Sequence, residues 1–146
     1  MRPQSIVRFE IFYWLSFVVS IAETALAWND TKAQMAAANP VALQFFPAMM
    51  VAGIAISLII TAVLWYFAAR KASNVARWIV AIFYGIGLVF WLISLVGGKL
   101  PVGIPGVLQV VGIVLQTLAV IMLFRPDAKA WFEKTPTEAE TTETFE

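Results

Sequence analysis

Four apolar runs of helix length, separated by short polar segments, constrain the fold of this chain more than any other feature. About 20 helical residues cross a hydrocarbon core roughly 30 Å thick, and the runs read as spans over about 6–26, 46–69, 78–96 and 107–124. Only 13% of residues are charged, 61% are hydrophobic and the mean hydropathy is +0.83, whereas a soluble domain carries charge on about a quarter of its residues. No water-soluble fold of 146 residues hides that much apolar surface. The expected fold class is therefore all-α: a polytopic membrane protein with four transmembrane helices in one bundle over 1–134. The residues 135–146, rich in Thr and Glu and free of Lys and Arg, read as a disordered acidic tail.

The chemistry open to such a chain is narrow. It has no Cys and no His, which removes thiolate nucleophiles, disulfides, sulfur-ligated metals, and the commonest general base and metal ligand. No acidic pair at useful spacing accompanies a nucleophile, and there is no phosphate loop, dinucleotide fingerprint or nucleic-acid surface. The sequence thus predicts a protein that is not an enzyme and needs no metal or cofactor. Its constant partner is the lipid bilayer, with a second copy or a larger membrane complex as possible company.

The basic residues set the orientation. Arg2, Arg8, Arg70, Lys71, Arg77, Arg125, Lys129 and Lys134 fall on one side of the spans, against Lys32 and Lys99 on the other. Cytoplasmic segments carry the excess of Lys and Arg, so both termini and the Ala69–Arg77 turn are expected inside. Arg8, Arg70, Lys71, Arg77, Arg125 and Trp131 are the expected interface anchors. An alternative for the first run is a signal peptide, because Ala25-Leu26-Ala27 mimics a cleavage site; Glu10, Glu23 and Phe12-Tyr13-Trp14 argue against it.

Between the first two spans, a short helix is expected over Thr31–Ala38, capped by Asn29 or Asp30 and ended by Asn39-Pro40. Pro47 belongs in the first turn of the second span. Asp127 to Lys134 can form one or two helical turns, with Trp131 and Phe132 against the membrane. A faint repeat relates Ile11-Phe12-Tyr13 to Ile82-Phe83-Tyr84, and Val51 to Ile54 to Val110 to Ile113. A true duplication would make each half one hairpin, the halves related by an axis along the membrane normal.

Every span owns a small or polar stripe at helical spacing. The first carries Tyr13, Ser16, Ser20, Glu23 and Ala27, and the second Gly53, Ser57 and Thr61. The third carries Tyr84, Gly87, Trp91 and Ser94, and the fourth Gln109, Gly112 and Gln116. Small residues and interhelical hydrogen bonds drive association in lipid, so Gly53, Ser57, Thr61, Gly87 and Gly112 are expected at helix contacts. Glu23, with Ser20, Gln109 and Gln116, is the candidate intramembrane polar site. The expected partner of Glu23 is Gln109 or Lys99; the alternative is a carboxyl that handles a proton or a cation. Glu10, between Arg8 and the Arg70–Arg77 turn, reads as an ion-pair partner.

Ser20-Ile21-Ala22-Glu23-Thr24, an acidic residue within a first span, resembles the small multidrug resistance transporters over that segment alone. Those transporters are shorter, their glutamate lies nearer mid-span, and they lack an acidic tail. The layout as a whole resembles a broad group of uncharacterised small bacterial four-span proteins. That resemblance rests on Asn74-Val75-Ala76-Arg77-Trp78-Ile79-Val80 and on Leu123-Phe124-Arg125-Pro126-Asp127, continuing through Trp131-Phe132. It implies a multi-pass protein of the bacterial inner membrane without an established activity. The expected function is structural or accessory; the alternative is a small proton- or cation-linked transporter or channel using Glu23.

Overall fold

The computed structural model describes residues 2–98 and 100–133, so Lys99, Lys134 and the acidic tail lie outside the described residues. Among the described residues all regular structure is helical. The elements are α1 (Gln4–Leu26), α2 (Trp28–Ala38), α3 (Phe46–Trp65), α4 (Asn74–Val96), α5 (Ile104–Leu123) and α6 (Pro126–Glu133). Four helical segments are long and apolar enough to cross a membrane: Gln4–Leu26, Ala42–Arg70, Asn74–Val96 and Ile104–Leu123.

Local chemistry fixes the ends of these helices. Pro3 caps α1 in an extended conformation, and its carbonyl accepts from Ile6 and Val7 N–H at 3.2 and 3.3 Å. The chain bends at Ala27, whose carbonyl takes the Thr31 N–H at 2.9 Å. Hence α2 starts at Trp28, earlier than expected, and neither Asn29 nor Asp30 caps it. Asn39 ends α2 as expected, and its Oδ1 accepts from Val41 and Ala42 N–H at 3.1 and 3.2 Å, starting a short 3-10 turn over Ala42–Phe45. Pro47 sits in the first turn of α3, where its missing N–H has no bond to lose.

The α3–α4 connection is tight. Beyond Trp65 the helix widens into a π turn over Tyr66–Arg70. Ala72 then adopts a left-handed φ of 50°, an uncommon conformation for a non-glycine residue, which lets Ser73 N–H reach the Phe67 carbonyl at 2.9 Å. Ser73 Oγ in turn accepts from Ala76 N–H at 3.3 Å and caps α4. The α4–α5 loop uses Gly98 and Gly103 at φ 63° and 75° to reverse the chain.

Packing is concentrated at one end. Antiparallel α1 and α5 lie together along their length, and at the N-terminal end of α1 they join Ala68, Ala69 and Ala72, Ala76 and Val80 of α4, and Ala128 and Phe132 of α6 in one buried cluster. Phe9 and Leu123 there are fully buried. Alanines permit this close approach of backbones. They, rather than the glycines, form the helix contacts: a side chain on Gly53 or Gly87 would meet nothing within 4 Å, while Gly112 alone faces α1, 3.8 Å from Val19. Phe132 also departs from expectation, since it is buried among helices instead of facing outward, and Trp131 packs beside it. α3 meets α4 far less closely than α1 meets α5, so the packing does not follow the two-fold relation that a duplicated hairpin would give.

A candidate binding cavity among the four long helices

Away from the buried cluster α1 and α5 stay together while α3 and α4 pack more loosely, and the space among the four is a cavity of about 700 Å³. Each long helix turns its polar stripe toward it. α1 supplies Tyr13, Ser16, Ser20 and Glu23, and α3 supplies Ser57 and Thr61. α4 contributes Tyr84, Gly87, Trp91 and Ser94, while α5 adds Gln109, Gly112 and Gln116. Of the stripes read from the sequence, only Ala27 and Gly53 lie off this wall. The stripes touch at a few interhelical hydrogen bonds and otherwise line a shared space. Phe83 and Phe90 of α4 and Leu100 and Pro101 of the α4–α5 loop are among the apolar residues that join the lining. Their apolar character hid them among the many similar residues of the spans.

The deep end of the cavity is cross-linked. Ser16 Oγ stands 2.6 Å from Gln116 Oε1. Tyr84 and Thr117 share a hydrogen bond of 2.5 Å; because the Thr117 hydroxyl already donates to the Ile113 carbonyl at 2.7 Å, Tyr84 is the donor. Toward the loop end, Trp91 Nε1 donates to Gln109 Oε1 at 3.3 Å. Gln109 is thus placed with Trp91, and Lys99, the other expected partner of Glu23, lies outside the described residues. Glu23 is half-buried one turn from the end of α1, and among the described residues it is the only charged side chain on the wall.

Two of the lining hydroxyls share a further property. Ser57 donates to the Ile54 carbonyl at 2.9 Å and Ser94 to the Phe90 carbonyl at 3.0 Å, each on its own helix. A hydroxyl has one proton and two lone pairs. With the proton committed to the backbone, each oxygen presents only acceptor capacity to the cavity. A carboxylate, hydroxyl and carboxamide groups and aromatic faces among apolar side chains can bind and orient a ligand; a base aligned on a nucleophile is not among them.

The opposite end holds the basic residues. Glu10 pairs with Arg2 at 2.8 Å and Arg70 at 3.5 Å, while Arg8, the neighbour expected to take part, is exposed. Arg70 and Lys71 are likewise exposed, as is Arg125. Arg77 is different: its guanidinium lies 4.9 Å from the Phe124 ring centroid and 5.1 Å from that of Phe132. Only the adjacency of Arg77 and Trp78 hinted at this in the sequence, because Phe124 and Phe132 reach it through the α5–α6 bend. Asp127 of α6 accepts from the Ser5 N–H at 3.3 Å, satisfying a free donor at the start of α1.

Comparison with protein-family models, with curated proteins and with solved structures finds no match to the chain.

Proposed function

We propose that this chain is a non-catalytic, multi-pass membrane protein that holds a small amphipathic molecule in the cavity between its four spans, as a carrier or receptor would. The observation that carries this reading is the convergence of all four polar stripes on one space of about 700 Å³, within the range of roughly 300–1,000 Å³ typical of small-molecule sites. Both termini and the Ala69–Arg77 turn face the cytoplasm in this reading, supported by the eight-to-two partition of basic residues. A bacterial inner membrane is the proposed location, on the resemblance to small bacterial four-span proteins.

The absence of cysteine makes the test direct. Single cysteines at Ser20, Ser57 and Ser94 should react with a membrane-impermeant thiol reagent added from outside, and pentylbenzene should slow that reaction. Cysteines at Val18 and Ile93, exposed on outward faces, should stay inert in the bilayer. Equal reactivity of the two sets would sink the reading.

An accessory role is the second reading, and α3 favours it. Between Phe46 and Trp65 only Phe46 is buried, so nearly the whole helix is open to a partner helix, a second copy or lipid. Purification from native membranes separates these outcomes, since a stoichiometric larger partner supports the accessory role.

A further inference from the structure

We propose that Arg77 heads a site for an anionic phospholipid, its guanidinium receiving the phosphodiester where the bundle meets the cytoplasmic leaflet. The inference rests on the membrane location proposed above and not on what the cavity holds.

The guanidinium is built into its place. Its centre lies 4.9 Å from the Phe124 ring centroid, 5.1 Å from that of Phe132 and 5.9 Å from that of Trp78, so rings at the end of α5, on α6 and on α4 surround it. Packing over ring faces orients the plane and leaves its N–H edge to find a partner. Among the described residues it has none. Nε is enclosed without a hydrogen bond, while the terminal nitrogens of this half-buried residue, equally without a partner there, are open. Its neighbours differ. Arg2 and Arg70 share Glu10, and Lys129 pairs with Glu133; Arg8, Lys71 and Arg125 are exposed, where water serves them. Arg77 is therefore, among the described residues, the cation that is both ordered and unpaired. A planar fork held in this way matches two oxygens of a phosphate.

The surroundings point to a lipid as the source of that phosphate. Trp78 and Phe124 meet edge to face at 5.3 Å and are both exposed, and tryptophan belongs at the headgroup level of a bilayer. Along α4 the same face continues in Ile82, Ile86 and Val89, all exposed and at helical spacing, so an acyl chain leaving a phosphate at Arg77 runs on apolar side chains. The charge around the site favours a headgroup of net negative charge. Lys71 and Arg125 flank this end, and each described carboxylate here is engaged: Glu10 and Glu133 in ion pairs, Asp127 with the Ser5 N–H. None is left for the choline of a zwitterionic lipid, whereas basic groups at a cytoplasmic surface attract anionic lipids.

Native mass spectrometry of the full chain, released from nonionic detergent with phosphatidylglycerol or phosphatidylcholine of the same acyl chains, tests the site. Phosphatidylglycerol should bind about tenfold tighter than phosphatidylcholine. Arg77→Gln should bring the two lipids to parity, Arg77→Lys, which keeps the charge and loses the fork, should cost about threefold, and Arg8→Gln, which removes the same charge from an exposed position, should change nothing. Unchanged phosphatidylcholine binding by the Arg77 variants shows that they are folded. Equal binding of the two lipids by the wild type, a preference that survives Arg77→Gln, or an equal loss in Arg8→Gln overturns the site, the last by showing a diffuse attraction to charge. Displacement of phosphatidylglycerol by inorganic phosphate overturns the lipid as occupant. Recovery of the wild-type chain as a folded monomer without detergent overturns the membrane location, and this inference with it.

Discussion

The Ser16 hydroxyl on α1 stands 2.6 Å from Gln116 Oε1 on α5 and 2.8 Å from the Tyr13 carbonyl of its own helix, so a single proton faces two acceptors. Turning the Gln116 carboxamide over resolves the conflict. Its N–H then donates to Ser16 Oγ while the Ser16 proton goes to Tyr13, and the freed carboxamide oxygen joins the acceptors along the cavity. The pair also marks a boundary. On one side lie the buried Phe9, Ala119 and Leu123; on the other the cavity opens toward α3 and α4 while α1 and α5 stay in contact.

That boundary should be measurable as a coupling. Ser16→Ala and Gln116→Leu each remove one side of a partly buried interhelical bond, and Ser16 itself is buried. In a double-mutant cycle on unfolding in micelles, we expect a coupling of about 0.6–1.7 kcal/mol, the range of interhelical bonds in membrane proteins. Additive single substitutions would mean that the contact contributes nothing beyond its parts.

Asp127 links the C-terminal helix to the first. The Ser5 hydroxyl and N–H beside it hold the Asp127 carboxyl below the usual carboxylate range. A carboxyl whose native-state value is depressed stabilises the native state above its unfolded value of about 3.9, and that contribution is lost as the pH falls through the native value. The docking of α6 should thus be indifferent to pH between 5 and 8 (both about, on the same ordinary carboxylate value) and weaken in stronger acid. Hydrogen exchange of the α6 amides follows it directly. Asp127→Asn should flatten the acid dependence, and a wild-type α6 equally protected across the acid range would refute the link.

Arg77 separates topology from packing. As a basic residue it counts toward the cytoplasmic side in the proposed topology, yet its guanidinium also lies against Phe124 and Phe132. Lysine keeps the charge and loses the planar stack. Arg77→Lys should therefore leave reporter-fusion topology unchanged and lower unfolding stability by about 0.5–2 kcal/mol, the range of cation–π contacts. A changed topology with unaltered stability would assign Arg77 to orientation alone.

The architecture was legible because its signals are one-dimensional. Apolar length gives the four long helices, and helical spacing picks out Ser20, Glu23, Trp91 and Gln109 as sharing a direction. What periodicity cannot give is the distance between helices. Facing stripes that touch and facing stripes that surround a cavity have the same sequence, and only the alanines at positions 68, 69, 76 and 119, drawing the helices together at one end, decide between them. Gly53 and Gly87 illustrate the same point, since a small residue marks a helix contact only where another helix arrives. The expected Glu23–Gln109 bond is not formed; the Gln109 oxygen accepts instead from Trp91, on a third helix, and spacing along single helices cannot name a partner on a third.

Gly106 is where close approach does require glycine. A Cβ at this position would collide with the Pro101 carbonyl oxygen, a backbone atom that cannot rotate away. Pro101 and Leu100 line the cavity, and the chain between them and α5 is already turned by Gly103 at φ 75°. Gly106→Ala must therefore displace the loop, either unwinding the first turn of α5 or moving Leu100 and Pro101 relative to Glu23 and Gln109. We expect a loss of about 1–3 kcal/mol in stability, the cost typical of overpacking. The control Gly53→Ala, which meets nothing within 4 Å, should be neutral or slightly stabilising, by up to about 1 kcal/mol from helix propensity. Thermal unfolding of both variants in the same detergent checks the contrast. If Gly106→Ala unfolds at the wild-type temperature while Gly53→Ala does not, the loop does not press on α5 as described.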